Sequence, residues 1–276
     1  MALIICGHQR SGTSMLRRLC DHHPDMMLTN EFGNFFHLNE TYNEYRDYIW
    51  KRWWETRNRP FIRVNKSRNQ QYHSFSYPKY SSKVFHLNMM GNLFFVIRYL
   101  RSISKQGGAT IQLASIEESL KNIFAGVSVV GDKNPDYVYS LERFVREENL
   151  LVILIYRDPR DVVSSVLTAY RDKWGKWWDE ELSIAEKIAK RWVYMIDLMQ
   201  RYSTQIFTIQ YEDFVMDPQK NLKELGERVN VDWKYFDRQR IRTDSVGKYK
   251  RFLTGQEYED IIQIAGAKME TLGYKL

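Results

Sequence analysis

Residues 3–14 read Leu-Ile-Ile-Cys-Gly-His-Gln-Arg-Ser-Gly-Thr-Ser. The stretch begins with an apolar run and continues with a loop bounded by Gly7 and Gly12. A segment with helical periodicity follows over residues 15–19. This order predicts a strand, a loop and a helix. Backbone N–H groups in such a loop point inward, and the start of the helix adds partial positive charge. This stretch therefore predicts a binding site for a phosphate or a sulfate.

The same order of elements recurs along the chain and predicts the fold class. Further short apolar runs, each followed by a polar turn and a helix-like segment, lie at Val127–Val130, Leu150–Tyr156 and Gln205–Gln210. Later helix starts, where a capping residue precedes a proline, lie at Asn134-Pro135, Asp158-Pro159 and Asp217-Pro218. The alternation predicts an α/β protein with a P-loop-type, mostly parallel sheet flanked by helices.

Residues 38–126 differ from the rest of the chain. They are rich in aromatic and basic residues and largely helical in pattern. We interpret them as a large, mainly helical insertion between the first two of these strands. Because no internal repeat, low-complexity tract or Pro/Gly linker divides the chain, we predict that residues 1–276 form a single domain.

The loop differs from that of nucleotide triphosphatases at one decisive position. Those proteins carry a lysine after the second glycine, where this chain has Thr13, and here the positive charge stands inside the loop, at Arg10. An anion-binding loop without that lysine argues against transfer of the ATP γ-phosphoryl group. A P-loop kinase or nucleotide hydrolase remains an alternative, which would depend on a metal.

A second anion site is predicted where the strand Leu150–Tyr156 ends. Arg157 follows the strand and Ser165 lies eight residues later, on the following helix. An arginine in this place can simply pair with Asp158 or Asp161 at the surface. Beside the first loop, however, the pattern favours two phosphate sites at the ends of two parallel strands, as a bis-phosphorylated adenosine requires.

The run Arg-Ser-Gly-Thr-Ser-Met-Leu-Arg-Arg at residues 10–18, with His-Pro-Asp at 23–25 and then Glu31, resembles the sulfotransferase family. Among its members, the motifs are most similar to those of tyrosylprotein sulfotransferases. This family transfers a sulfuryl group from 3′-phosphoadenosine-5′-phosphosulfate (PAPS) and releases 3′-phosphoadenosine 5′-phosphate (PAP). The resemblance implies a hydroxyl or amine acceptor.

The resemblance also implies roles for individual residues. The 5′-phosphosulfate would be held by Arg10, Ser11, Gly12, Thr13 and Ser14, and the 3′-phosphate by Arg157, Ser165 and Tyr211. Lys248 would close over the donor from a C-terminal loop. Glu31 would be the general base, with Lys133 and Arg10 stabilising charge on the transferring group. Other members of the wider family use histidine, so His8 and His37 are alternative bases.

Composition narrows the remaining possibilities. The histidines form no metal-ligand spacing, so no metal is expected, and Cys6 and Cys20 are interpreted as buried thiols. No apolar run approaches the roughly 18 residues of a spanning helix, and the N-terminal run is too short for a signal peptide. These features favour a cytoplasmic protein with no membrane span.

The formal net charge of +7 is concentrated in one acid-free segment, residues 56–116, which holds ten basic residues. Without it, the chain has 31 basic and 34 acidic residues, a net charge of −3. We hypothesise that this segment lines the approach to the acceptor and favours an anionic one, whether carbohydrate, lipid, peptide or small hydroxyl compound. The alternative is a non-enzymatic binder of acidic polymers; nucleic acid is the weaker interpretation.

Two tryptophan clusters with equal spacing also stand out. They consist of Trp50, Trp53 and Trp54, and of Trp174, Trp177 and Trp178. This spacing places each trio on one face of a helix. Each face either packs against the core or forms an aromatic wall of an acceptor site.

Overall fold

The structure, a computed structural model, describes residues 1–56, 84–174, 180–241 and 243–276. Its strands are β1 (Ala2–Cys6), β2 (Met26–Asn30), β3 (Val129–Lys133), β4 (Leu150–Tyr156) and β5 (Phe207–Gln210). The larger helices are α1 (Thr13–His22), α2 (Tyr42–Thr56), α3 (Val84–Gln106), α4 (Leu113–Ile123), α6 (Pro159–Ala169), α7 (Ala185–Arg201), α9 (Pro218–Val229) and α11 (Gly255–Thr271). Shorter helices are α5 (Leu141–Phe144), α8 (Tyr211–Met216) and α10 (Tyr249–Phe252), with a 3-10 helix at Pro135–Ser140.

The described strands form one parallel sheet in the order β2-β3-β1-β4-β5. All five residues of the central strand β1 are buried, because helices cover both faces of the sheet. Ala2, Ile4 and Cys6 face a core that helices α2, α3, α4, α6, α7 and α11 share, whereas Leu3 and Ile5 face a core with α1, α8 and α9. The predicted α/β fold with a parallel sheet between helical layers is confirmed.

The sequence analysis missed strand β2, and this strand changes the position of the helical insertion in the order of the strands. Its five residues include a single β-branched one, Thr29, so the strand signal is weak and its pairing with β3 stabilises it. The mainly helical region that holds α2, α3 and α4 therefore lies between β2 and β3, the second and third strands, rather than between the first two. The prediction of a strand at Val127–Val130 was also displaced: β3 runs to Lys133.

The predictions about the cysteines and the helix caps can be compared with the structure. Cys6 and Cys20 are free and buried, as expected, and burial raises the pKa of both thiols. Asn134 caps a 3-10 helix, whereas Asp158 and Asp217 cap α-helices, each with proline at its first position. None of the described helices is long and apolar enough to cross a membrane.

Candidate active site

A cleft of about 1110 Å³ opens at the carboxyl ends of the strands. Because the strands are parallel, the residues that follow them meet at one edge of the sheet. The loop 7–12 follows β1, Glu31 follows β2, Lys133 ends β3, Arg157 follows β4 and Tyr211 follows β5. The cleft is lined by Arg10, Gly12, Thr13, Ser14, Glu31, Lys133, Arg157, Ser165, Tyr211 and Lys248, all of them predicted site residues.

The loop between β1 and α1 has an unusual backbone. Arg10 and Gly12 both have positive φ angles, 70° and 104°. A Cβ atom at Gly12 would lie 2.5 Å from Cδ2 of Tyr211, so only glycine fits there. Ser11 is buried, and its Oγ has no hydrogen-bond partner among the described residues. No side chain caps α1, and the Met15 N–H donates to the Gly12 carbonyl oxygen at 2.9 Å, so the N–H groups of Thr13 and Ser14 are the ones that can meet a ligand.

The two predicted anion sites are in direct contact. The Arg10 Nε donates to Ser165 Oγ at 2.9 Å, and Arg157 Nη1 donates to the Arg10 carbonyl oxygen at 3.3 Å. Burial lowers the pKa of the Arg10 guanidinium, and the charge on Arg157 lowers it further. Two guanidinium groups held side by side create a region of positive potential that favours an anion.

Arg157 is buried and has several partners. It forms an ion pair with Asp161 at 3.1 Å, donates to the Ser245 carbonyl oxygen and lies 4.7 Å from the centre of the Tyr211 ring. Its Nε is buried and has no partner in the described part of the chain. The sequence analysis offered a surface pairing of Arg157 with Asp161 as an alternative. This pairing occurs, but it lies in the wall of the cleft and leaves the Arg157 Nε available as a donor.

Glu31 and Lys133 form an ion pair at the inner end of the cleft, with Nζ 2.5 Å from Oε1. The sheet register brings them together, since Asn30 pairs with Lys133 and the Glu31 N–H donates to the Lys133 carbonyl oxygen at 2.7 Å. The Lys133 side chain is 1% exposed and that of Glu31 is 29% exposed. Desolvation lowers the pKa of Lys133, and the Glu31 carboxylate opposes this shift. Lys133 thus ends a buried strand and is not a solvated turn lysine.

The turn that carries Glu31 is held by contacts that the sequence analysis did not identify. Glu31 has a φ of 56°, and the Arg52 guanidinium donates twice to its carbonyl oxygen, at 2.8 and 3.1 Å. Next to it, the buried Asp132 carboxylate accepts from the Tyr137 hydroxyl at 2.6 Å and from the Gly33 N–H at 2.9 Å. Gly33 and Asp132 lie 99 residues apart in the chain, so no local pattern could indicate their contact.

Asp161 ties the C-terminal segment, residues 244–249, to the cleft. Its carboxylate accepts from the Gly247 N–H at 2.7 Å and from the Tyr249 N–H at 2.9 Å. The Tyr211 hydroxyl and Ser245 Oγ are 2.5 Å apart. Lys248 lies in this segment at the rim, 3.3 Å from the exposed Asp244. The segment therefore covers the outer part of the cleft.

The alternative bases lie elsewhere. His8 belongs to the loop, but its side chain is buried, and burial lowers its pKa to about 4. His37 contacts Glu40 at 2.6 Å and stacks against Tyr48. Neither histidine lines the cleft.

The tryptophans do not line the cleft either, as far as the structure describes them. Trp50 and Trp53 pack partly buried against the core, and Trp54 is exposed. The side chains of the second trio lie outside the described residues. Among the residues that the structure describes, no cluster of His, Cys, Asp and Glu could hold a metal ion.

Comparison with known proteins places the chain in a family. The model of the sulfotransferase family matches residues 2–235. The sulfotransferase domain of the olefin synthase from Synechococcus PCC 7002 has a TM-score of 0.61 and 18% identity, over 100% of this chain and 95% of that one. Mouse sulfotransferase SULT7A1, solved with PAP, has a TM-score of 0.51 and 13% identity, over 98% and 84%.

Sulfotransferase STF9 from Mycobacterium avium has a TM-score of 0.50 and 15% identity, over 100% of this chain and 77% of that one. No curated protein matches the sequence. At such identities the solved structures show a shared fold, whereas the family model spans most of the chain. On that match, and with the same fold, this chain belongs to the sulfotransferase family.

Proposed function

We propose that this protein transfers a sulfuryl group from PAPS to a hydroxyl or amine acceptor and releases PAP. The observation that carries the proposal is the meeting, in one cleft, of two anion-binding arrangements with a carboxylate–ammonium pair: the loop 10–14, Arg157 with Ser165, and Glu31 with Lys133. The presence of PAP in the mouse SULT7A1 structure supports the same donor here. Family membership disfavours the kinase and polymer-binder alternatives.

The residues present fit a donor with phosphate groups at both ends. The N–H groups of Thr13 and Ser14 at the start of α1, two residues that line the cleft, suit the 5′-phosphosulfate, whereas the buried Ser11 does not line it. The unpartnered Nε of Arg157, near Ser165 and Tyr211, suits the 3′-phosphate.

The chemistry follows from the positions of three side chains. Bound PAPS supplies the sulfuryl group: a new acceptor oxygen–sulfur bond forms while the bond from sulfur to the 5′-phosphate oxygen breaks. Glu31 takes the proton of the acceptor hydroxyl, whose electron pair forms the new bond. Lys133 and Arg10 stabilise the negative charge that the leaving phosphate oxygen gains. The ion pair holds Glu31 and Lys133 close enough to act on the same reacting group.

The basic segment, residues 56–116, is expected to favour an anionic acceptor, and this stays a prediction. Arg98, Arg101 and Lys105 of the acid-free segment lie on α3, while the other seven bases lie outside the described side chains. Charge reversal at Arg63, Lys66 and Arg68 is expected to raise the acceptor KM and leave donor affinity unchanged.

The proposal is tested with PAPS that carries labelled sulfur and a panel of glycans, peptides, lipids and small alcohols. In Glu31→Gln, sulfuryl transfer is expected to fall by about a hundredfold or more, because the base is lost, while PAP affinity is retained. Glu40→Gln is the control, since Glu40 contacts His37 away from the cleft. An active Glu31→Gln enzyme would refute the role of the base. Stabilisation by magnesium-ATP equal to that by PAP would refute the donor.

A further inference from the structure

A second cavity of about 330 Å³ lies beside the cleft. Its lining side chains include His8, Gln9, Asp136, Tyr139, Leu182 and Arg191. Gln9 and Asp136 also line the main cleft. The two cavities are therefore neighbours, and these two side chains stand between them.

The second cavity is close to the proposed reacting groups. Asp136 lies three residues after Lys133, in a turn that is fixed by the hydrogen bond from its N–H to Asn134 Oδ1 at 3.1 Å. Asp136 and Glu31 both line the main cleft, and the charge on Glu31 adds to desolvation in raising the pKa of Asp136. A molecule whose hydroxyl faces Glu31 can therefore extend past Asp136 into the second cavity.

The cavity offers both kinds of hydrogen-bonding partner without a surplus of charge. Asp136 is an acceptor, and Gln9 Oε1 is a buried acceptor with no partner in the described part of the chain. Arg191 is a donor whose guanidinium is held by Glu181 at 3.0 Å. His8 is neutral at pH 7, because burial lowers its pKa to about 4. Such a lining suits an uncharged molecule that carries several hydroxyl groups.

An aromatic surface borders this lining. The rings of Tyr139 and Tyr194 are parallel to within 11°, with their centroids 6.0 Å apart. They are 44% and 53% exposed, which is unusual for two large aromatic residues in contact. Tyr194 lies one helical turn after Arg191 on α7, so the stacked pair and the polar lining share one side of that helix.

We propose that the second cavity is an acceptor subsite for a neutral sugar ring, with Asp136 and Tyr139 as its specificity-determining residues. A pyranose ring has C–H groups on its faces and hydroxyl groups around its edge, which matches a flat aromatic surface beside polar side chains. Asp136 accepts from ring hydroxyls and Tyr139 contacts a C–H face, while a further hydroxyl lies at Glu31. This inference rests on the proposed function, since it assigns the ring that carries the reacting hydroxyl of that reaction's acceptor; an anionic group elsewhere on the same acceptor would meet the basic segment, residues 56–116.

The test is a binding titration of the whole protein by saturation-transfer NMR, with and without PAP. The probes are methyl glycosides of neutral hexoses, with cyclohexanol and cyclohexylamine as apolar and cationic comparisons. Glycosides are expected to bind, and Tyr139→Ala and Asp136→Asn to weaken that binding by about tenfold each. Tyr235→Ala is the control, because Tyr235 is also exposed, at 60%, but borders neither cavity.

The outcomes separate this inference from the proposed function. Glycoside binding that both variants weaken supports the subsite, and if PAP then fails to bind, the donor assignment is wrong while the subsite stands. PAP binding without glycoside binding overturns the subsite and leaves the donor assignment intact. Glycoside binding that Tyr139→Ala and Asp136→Asn leave unchanged overturns the subsite, as does preferential binding of cyclohexanol or cyclohexylamine.

Discussion

Two regions of the chain face the same cleft but are held in different ways. The loop 7–14 is fixed by its own backbone: Gly7 and Gly12 have φ angles of 140° and 104°, and a Cβ at Gly7 would lie 2.2 Å from a backbone oxygen. The C-terminal segment, residues 244–249, is fixed by side chains of other elements, chiefly Asp161. The loop 7–14 can change its conformation only with backbone strain, whereas the C-terminal segment can be released when a few hydrogen bonds break.

This difference suggests a division of labour in donor binding. A loop whose donors are fixed before the ligand arrives loses little entropy on binding and so favours affinity. A covering segment that is held by replaceable contacts can open to admit the donor and release the product. Three pairs of variants test whether the two regions differ in this way.

The largest effect is expected from glycine substitutions in the two regions. Gly12→Ala should lower the free energy of unfolding by about 3 kcal/mol, because strain at positive φ adds to a clash with Tyr211. Gly247→Ala should cost only about 1 kcal/mol, since its φ is 74° but no atom lies within 4 Å of the added Cβ. Urea unfolding measures both values, and equal losses would remove the distinction between the two regions.

A smaller effect is expected when the C-terminal segment is loosened. Asp161→Asn removes the charge that pairs with Arg157 and weakens the acceptor of the Gly247 and Tyr249 N–H groups. PAP should then dissociate about tenfold faster in stopped-flow experiments, with little change in association. Asp244→Asn is the control, because Asp244 contacts Lys248 at the surface, and its effect should stay within about twofold. Unchanged dissociation from Asp161→Asn would show that the segment does not retain the product.

The smallest effect is expected in the pH dependence of kcat/KM, where the buried Lys133 is compared with Lys248 at the rim of the cleft. Burial lowers the pKa of Lys133, so as the pH rises Lys133 loses its proton before an exposed lysine does. We therefore expect kcat/KM to decline at alkaline pH, below the ordinary lysine range of about 10.4. In Lys133→Arg this decline should move to higher pH, because a guanidinium stays charged. Lys248→Arg should leave the profile unchanged; if it moves the decline instead, the titrating group is the outer lysine.

The sequence predicts the loop 7–14 well, because its strand, loop and helix are adjacent along the chain. It does not predict β2, whose stability comes from pairing with β3 about a hundred residues later. It offers Asp161 as a partner of Arg157 but misses the contacts of Asp161 with Gly247 and Tyr249, which lie 86 and 88 residues away in the chain. Local patterns pointed to residues that line the cleft, whereas the groups that position them depend on contacts that only the fold brings together.

The central claim is that the cleft binds a nucleotide with phosphate groups at both the 5′ and the 3′ positions. Calorimetric titration with PAP and with adenosine 5′-phosphate, both without magnesium, tests it directly. The account predicts that PAP binds about a hundredfold more tightly, because charge-assisted hydrogen bonds to Arg157 and its neighbours contribute about 3 kcal/mol. Equal affinities for the two nucleotides would contradict it.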